Sequence, residues 1–276
     1  MARRSSTPPV VLTIAGTDSG GGAGIAADLR SFAAHGAFGT LVVTAVTAQN
    51  TLGVQAVAAQ PAEIVDAQIA SVLADLPVAA VKSGMLANAE IVKVVTAWAE
   101  RGALPQLVVD PVMVAASGGQ LLDAGGLAAY RELLSSAFLV TPNAPEAAML
   151  LGGAVESRSD LREAARALGA LGAGAALVKG GHLAGDESVD VLYAKGALTE
   201  FHAPRLASAH THGTGCTLSA AIAAGLAGGM GLLGAVERAK RYVTAAIAAA
   251  ASWELGAGPG PLDHGVWGTS QGGSVS

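Results

Sequence analysis

Val10-Val11-Leu12-Thr13-Ile14-Ala15 runs directly into Gly16-Thr17-Asp18-Ser19-Gly20-Gly21-Gly22-Ala23-Gly24. The first six residues form a short, apolar, largely β-branched run, the pattern of a buried strand. Glycines end it, and a helical pattern follows over residues 25–35. Strand, glycine loop and helix are the first half of a βαβ unit. The rest of the chain keeps that rhythm. Strand patterns fall at 40–48, 78–81, 107–109, 138–140 and 175–178. Helical patterns fall at 61–75, 89–100, 124–135, 160–171, from 216 onward, and at 232–254. Such alternation predicts an α/β protein with a mainly parallel central sheet covered by helices on both faces. The runs 189–194 and 198–202, separated by Lys195-Gly196-Ala197, predict an antiparallel hairpin near the end. One domain is expected over residues 10–264, with a disordered lead at 1–9 and a flexible tail at 265–276.

Composition narrows the function classes. Of 276 residues, 51% are hydrophobic and only 13% are charged, with a net charge of −5. A chain of this length can bury about three quarters of its unfolded surface. The acidic balance, with no basic cluster interleaved with aromatics, argues against nucleic acid or an anionic membrane as partner. The single cysteine, Cys216, excludes an internal disulfide and a zinc framework, and fits a cytoplasmic location. The stretch 217–236 lacks charge for about the length of a membrane span. Its five glycines instead predict a buried helix followed by a loop.

The most telling loop is His210-Thr211-His212-Gly213-Thr214-Gly215-Cys216, which turns straight into the apolar helix beginning Thr217-Leu218-Ser219. The first N–H groups of a helix have no internal partner, and the macrodipole adds about half a positive charge there. Glycines let a ligand approach the backbone. This is an anion cradle suited to phosphate. At its positive end the thiol of Cys216 is expected to ionise more easily than in a plain core; the alternative is a small buried residue.

Other chemistry-bearing residues stand where strands end, the usual ligand edge of an open parallel sheet. Gln49 can both donate to and accept from a heterocycle, or simply sit in a turn. Asp110, held before Pro111, suits a metal or ribose contact, or a cap. Asn143 and Glu146 have capping-box spacing; they could equally hold a hydrated Mg²⁺, which needs few protein ligands. Lys179, before Gly180-Gly181, can neutralise phosphate. Asp160 and Glu163 share the capping spacing on the next helix. Gly22, Gly24 and Ala27 satisfy a G-x-G-x-x-A fingerprint, but residues 31–62 contain no acidic ribose partner. A dinucleotide-dependent oxidoreductase is therefore disfavoured, and no G-x-x-x-x-G-K-[ST] loop exists.

Taken together, Gly16–Leu29, Val46-Thr47-Ala48-Gln49-Asn50-Thr51, Lys82-Ser83-Gly84-Met85-Leu86, Asp110-Pro111-Val112-Met113, Thr141-Pro142-Asn143-Ala144-Pro145-Glu146-Ala147, Lys179-Gly180-Gly181-His182 and His212–Cys216 closely resemble the hydroxymethylpyrimidine and hydroxymethylpyrimidine-phosphate kinases of thiamine biosynthesis. The resemblance covers about residues 10–264. It implies a ribokinase-like three-layer α/β/α sandwich. It also implies two successive ATP-dependent phosphorylations, of 4-amino-5-hydroxymethyl-2-methylpyrimidine and then of its monophosphate. By the same resemblance Gln49, Asp28, Gly16 and Met85 would meet the pyrimidine. Asp110, Asn143, Lys179, Thr211 and Thr214 would serve ATP. Glu146, Asn143 and Asp110 would organise Mg²⁺, and Gly213, Gly215 and Cys216 would be catalytic, with Cys216 as base or as electrostatic support. A pyridoxine or pyridoxal kinase of the same fold is the nearest alternative, and a silent precursor sensor a more distant one. The family precedent implies a homodimer, and the length implies a stand-alone kinase.

Overall fold

The computed structural model describes residues 7–113 and 125–267. The expected lead at 1–9 and tail at 265–276, and the Gly118-Gly119 loop, therefore fall wholly or partly outside the described residues. Ten strands and eight helices are described, in the order β1 (Val10–Ala15), α1 (Gly24–Ala34), β2 (Phe38–Val43), β3 (Ala45–Asn50), β4 (Gly53–Ala59), α2 (Ala62–Asp75), β5 (Val78–Ser83), α3 (Ala89–Glu100), β6 (Val108–Val109), α4 (Gly126–Leu134), β7 (Leu139–Val140), α5 (Ala144–Leu151), α6 (Arg158–Ala170), β8 (Ala175–Lys179), β9 (Glu187–Ala194), β10 (Ala197–Pro204), α7 (Thr214–Ala227) and α8 (Leu232–Ala250).

Eight strands form one sheet in the order β10-β9-β8-β7-β6-β5-β1-β2. The strands from β2 to β8 in that sheet pair in parallel, and β9 and β10 are antiparallel additions. Side chains of a strand alternate between faces, and the buried residues sort accordingly. Leu12, Ile14, Val81, Val109, Val140 and Val178 pack with α2 to α6. Val11, Val108, Leu139, Ala175 and Leu177 pack with α1, α7 and α8. The result is the expected three-layer sandwich. The β9–β10 hairpin is present and turns through Lys195 (φ 51°) and Gly196 (φ 81°), two left-handed residues matching a type I′ turn.

Two expectations need correction. The run 40–48 is not one strand. It breaks at Thr44, whose N–H donates to Ala15 O at 2.9 Å, whose carbonyl accepts from Gln60 N at 2.8 Å, and whose hydroxyl donates to Met85 O at 2.6 Å. The chain there leaves the sheet, and β3 pairs with β4 in a separate antiparallel ribbon. On α6 the N-cap is Ser157, with Asp160 as its partner three residues on, so Asp160 closes the capping box instead of opening it. The stretch after Cys216 is a buried helix ending at Gly228, and among the described residues no helix is long and apolar enough to cross a membrane.

The strand order reverses direction at β1, which has β2 on one side and β5 on the other. A crevice opens at the carboxyl ends of strands at such a switch point. Gly16, Ser83, Asp110, Thr141 and Lys179 all stand at that edge.

Candidate active site

The two glycine loops meet there. Gly213 is the N-cap of α7 at φ 83°, and a Cβ on it would stand 1.9 Å from Gly22 O. Gly24 starts α1 at φ 55°, where a Cβ would stand 2.4 Å from Gly16 O. Only glycine meets both demands, a left-handed backbone and no room for a side chain. No side chain caps the first turn of α7; Thr214 N donates to Thr211 O at 3.3 Å, and the N–H groups that follow it in the first turn remain suited to a ligand. Thr214 instead turns its hydroxyl back to Thr211 O at 2.6 Å.

This loop rests on a charged cluster. A Cβ on Gly215 would come within 3.2 Å of Lys179 Nζ and 3.8 Å of Asp110 Oδ2. Lys179 Nζ lies 3.0 Å from Asp110 Oδ1 and 4.0 Å from Glu146 Oε2. Ser219 on α7 donates to Asp110 Oδ2 at 3.1 Å. Burial raises the cost of charging Asp110, but Lys179 and Lys82 outweigh it and hold the carboxyl below its usual range. Burial also opposes charge on Lys179, and Asp110 and Glu146 overcome it. Glu146 goes the other way. Burial pushes it up to about 7, against the pull of Lys179. The capping box is real as well: Asn143 Oδ1 accepts from Glu146 N at 2.8 Å and Glu146 Oε2 accepts from Asn143 N at 2.7 Å. The box occupies only one carboxylate oxygen of Glu146. Among the described residues no three His, Cys, Asp or Glu side chains converge as a metal cage. The donor set, two carboxylates and an amide around a lysine, suits a cation that keeps most of its water, as Mg²⁺ does.

Cys216 lies in the first turn of α7, with the Gly24 N–H hydrogen-bonded to it. It keeps some accessible surface yet is densely surrounded by protein. The expectation of an easily ionised thiol is corrected here. Burial pushes the thiol up to about 11, and Asp28 and Asp110 add to the shift, against the help of Lys82 and the Gly24 N–H. Desolvation outweighs the helix terminus.

A second cluster faces the same loops. A Cβ on Gly16 would sit 3.2 Å from Met85 Cε. Ser19 Oγ donates to Gln49 O at 2.6 Å, which ties β3 to the first glycine loop. The Gln49 side chain is half-buried, between Thr47 Oγ1 at 3.5 Å and His212 Nε2 at 3.4 Å. The structure thus sets Gly16 against Met85, places Gln49 with Ser19, Thr47 and His212, and groups Asp110, Asn143, Glu146, Lys179 and Gly215. Gly213 and Cys216 belong to the same loop and first turn as His212 and Gly215.

Asp28 is not among them. It has no exposed surface, and its Oδ2 accepts from Thr13 Oγ1 at 2.6 Å and Lys82 Nζ at 2.9 Å. A group sealed in this way supports Lys82 beneath the loops and offers no surface to a ligand. Lys240 is also placed: its Nζ lies 2.7 Å from Asp190 Oδ2, while Asp190 Oδ1 accepts the Gly180 N–H. It therefore braces the Lys179-Gly180 turn from behind. A cleft of about 660 Å³ separates β10 from α8. Sequence reasoning passed over Asp18, Lys82 and His212 as site residues, although all three stand in the quoted motifs.

A family model described as phosphomethylpyrimidine kinase matches residues 18–263. A hydroxymethylpyrimidine/phosphomethylpyrimidine kinase of Streptomyces coelicolor is 52% identical over 260 residues, covering 94% of this chain and 95% of that protein. The thiamine biosynthesis bifunctional protein ThiED of Geobacter sulfurreducens is 48% identical over 255 residues, 92% of this chain; the chain spans about half of that longer relative (52%). Among solved structures, the ADP complex of Bacillus subtilis pyridoxal kinase superposes with a TM-score of 0.87 at 33% identity, over 95% of this chain and all (100%) of that one.

Proposed function

The chain belongs to the phosphomethylpyrimidine kinase family, and from that premise we propose the following reaction. ATP phosphorylates the hydroxymethyl group of 4-amino-5-hydroxymethyl-2-methylpyrimidine, and a second ATP phosphorylates the monophosphate to the diphosphate used in thiamine biosynthesis. The observation that carries the reading is the seating of Gly215 against Lys179 and Asp110. It puts an uncapped helix N-terminus and a buried ammonium beside one another, where a transferring phosphoryl group needs positive charge.

In this reading the first-turn N–H groups of α7 and Lys179 hold the transferring phosphoryl group. Gln49 reads the aminopyrimidine edge, and Met85 packs on the ring beside Gly16. The cleft between β10 and α8 takes the base of ATP, with Phe201 and Pro204 on one wall and Thr244 and Ala248 on the other. Thr211 and Thr214 shape the entry to the anion loop. Glu146, Asn143 and Asp110 would hold Mg²⁺ through its water shell. When bound it neutralises phosphate charge. Cys216 accepts the hydroxymethyl proton in the first step, as thiolate. The second step attacks with a phosphate oxygen that is already ionised, so it needs no base.

The reading includes a homodimer in the cytoplasm. Phe38 and Leu41 on β2, and Val46, Leu52 and Val57 on the β3–β4 ribbon, are exposed apolar side chains close in sequence, and Cys216 is a free thiol. Light scattering that returned a monomer mass would remove the dimer from it. The likeness to a pyridoxal kinase favours one rival, phosphorylation of a hydroxymethylpyridine. Turnover of Mg·ATP with hydroxymethylpyrimidine, its monophosphate and pyridoxal, with products resolved by mass, tests the assignment. Mono- and then diphosphate of the pyrimidine are expected; phosphorylation of pyridoxal alone would overturn it.

A further inference from the structure

Met85 reaches Gly16 from the loop after β5, and the peptides around it are tied down by two buried hydroxyl groups. The Thr44 hydroxyl donates to Met85 O at 2.6 Å. The Tyr130 hydroxyl donates to Gly84 O at 2.9 Å and is hydrogen-bonded to the Leu86 backbone as well. Three consecutive residues are thus pinned, with Met85 in the middle. Thr44 and Tyr130 have no exposed surface, so neither offers itself to a ligand.

Thr44 also joins this loop to the end of β1. Its N–H donates to Ala15 O at 2.9 Å, and the next carbonyl, Ala45 O, accepts from Thr17 N at 2.9 Å. Gly16 lies between those two bonds. A Cβ on it would stand 3.2 Å from Met85 Cε and 3.5 Å from Ala45 O. One residue therefore fixes the backbone on both sides of the contact between Gly16 and Met85. Packing does not require a threonine there. Valine has nearly the same shape and suits a strand end as well, but it would take this donor away from Met85 O. In a buried place the loss of a donor is felt in full.

We propose that Thr44 and Tyr130 are positioning residues for the substrate: their hydroxyls hold residues 84–86 so that the Met85 thioether keeps its place beside Gly16, against the ring of the bound heterocycle. The proposal rests on the reading of Met85 given above.

Calorimetry of hydroxymethylpyrimidine and ATP binding tests it, on variants made with and without the Met85 side chain. Thr44→Val should weaken the pyrimidine about tenfold, the scale of one buried hydrogen bond. Tyr130→Phe should give a similar loss, and it carries the test by itself where Thr44→Val does not fold. Affinity for ATP should stay within about twofold in both. Thr44→Ser keeps the hydroxyl and should bind the pyrimidine within about twofold of wild type. Met85→Ala should itself weaken the pyrimidine, because it removes the side chain that the two hydroxyls place. In that background Thr44→Val and Tyr130→Phe should each add less than about twofold, since residues acting through one another are not additive. A further tenfold loss there, or an equal loss for pyrimidine and ATP, would overturn the proposal and leave the reading of Met85 intact. Met85→Ala that bound the pyrimidine as well as wild type would overturn both.

Discussion

Lys82 Nζ and Asp28 Oδ2 lie 2.9 Å apart, and neither side chain has any exposed surface. The pair sits beneath Cys216, whose charge both residues influence. Burial alone would favour a neutral amine, but Asp28, Cys216 and Asp110 hold Lys82 well above the usual lysine range. The other Asp28 oxygen and the Ser83 hydroxyl have no partner, so the pair carries most of the local polar satisfaction. Removing one member of such a pair strands a buried charge, a loss of about 3–5 kcal/mol. Asp28→Ala should lower the urea midpoint accordingly, and Asp28→Ala with Lys82→Met should recover most of it. Equal midpoints for the single and double variants would show that stranding is not the cause.

Glu146 serves two tasks that one substitution separates. Glutamine can still accept the Asn143 N–H and keep the capping box, but it carries no charge for a hydrated cation. Glu146→Gln should therefore keep its thermal midpoint within a few degrees while kcat falls about 100-fold, the scale of one lost electrostatic contact at a reacting phosphoryl group. Asn143→Ala should cost about 1 kcal/mol through the lost cap. A Glu146→Gln enzyme with full activity and normal Mg²⁺ dependence would reduce Glu146 to its cap.

Two buried imidazoles make stability fall with acid. His35 packs against Tyr242 and Trp267, with ring centres 4.8 and 5.0 Å away, and burial lowers it to about 4. His264 shares a hydrogen bond of 2.9 Å with Thr217, and burial likewise lowers it to about 4. Above pH 6.5 both imidazoles are neutral in either state, and the fold keeps its full margin. Between 6.5 and 4 the unfolded chain takes up protons that the fold refuses, so stability drops, by about 3 kcal/mol for each group. Below 4 this contribution levels off. His264→Gln keeps a partner for Thr217 and should remove about half of the slope; an unchanged slope would exclude His264 as a source.

Much of the site is legible in the chain because strand ends are. Asp110, Thr141 and Lys179 each follow a short apolar run, and parallel pairing brings such ends to one edge. The same logic fails at Thr44. Its neighbours on both sides read as strand, and only hydrogen bonds to Ala15, Gln60 and Met85, remote in sequence, bend the chain there. Asp18 and His212, which meet at 2.8 Å through Oδ2 and Nε2, were equally hidden, since a carboxylate in one glycine loop and an imidazole in another share no local pattern. The thiol of Cys216 shows a different limit. The helix terminus can be read from residue order, but the burial that outweighs it depends on Gly24, Asp28, Lys82 and Asp110 arriving from other elements.

The time course of both phosphorylations by wild type and Cys216→Ala at saturating Mg·ATP tests the role of Cys216 as base most directly. With its thiol near 11, only about one enzyme in ten thousand carries thiolate at pH 7. The wild-type rate of the first step should therefore climb with pH between 7 and 9, while the second stays nearly level. Cys216→Ala should lose about 100-fold or more in the first step, lose its pH dependence, and retain the second within about tenfold. Equal losses in both steps, or a first step in wild type that does not respond to pH, would contradict the role of Cys216 as base.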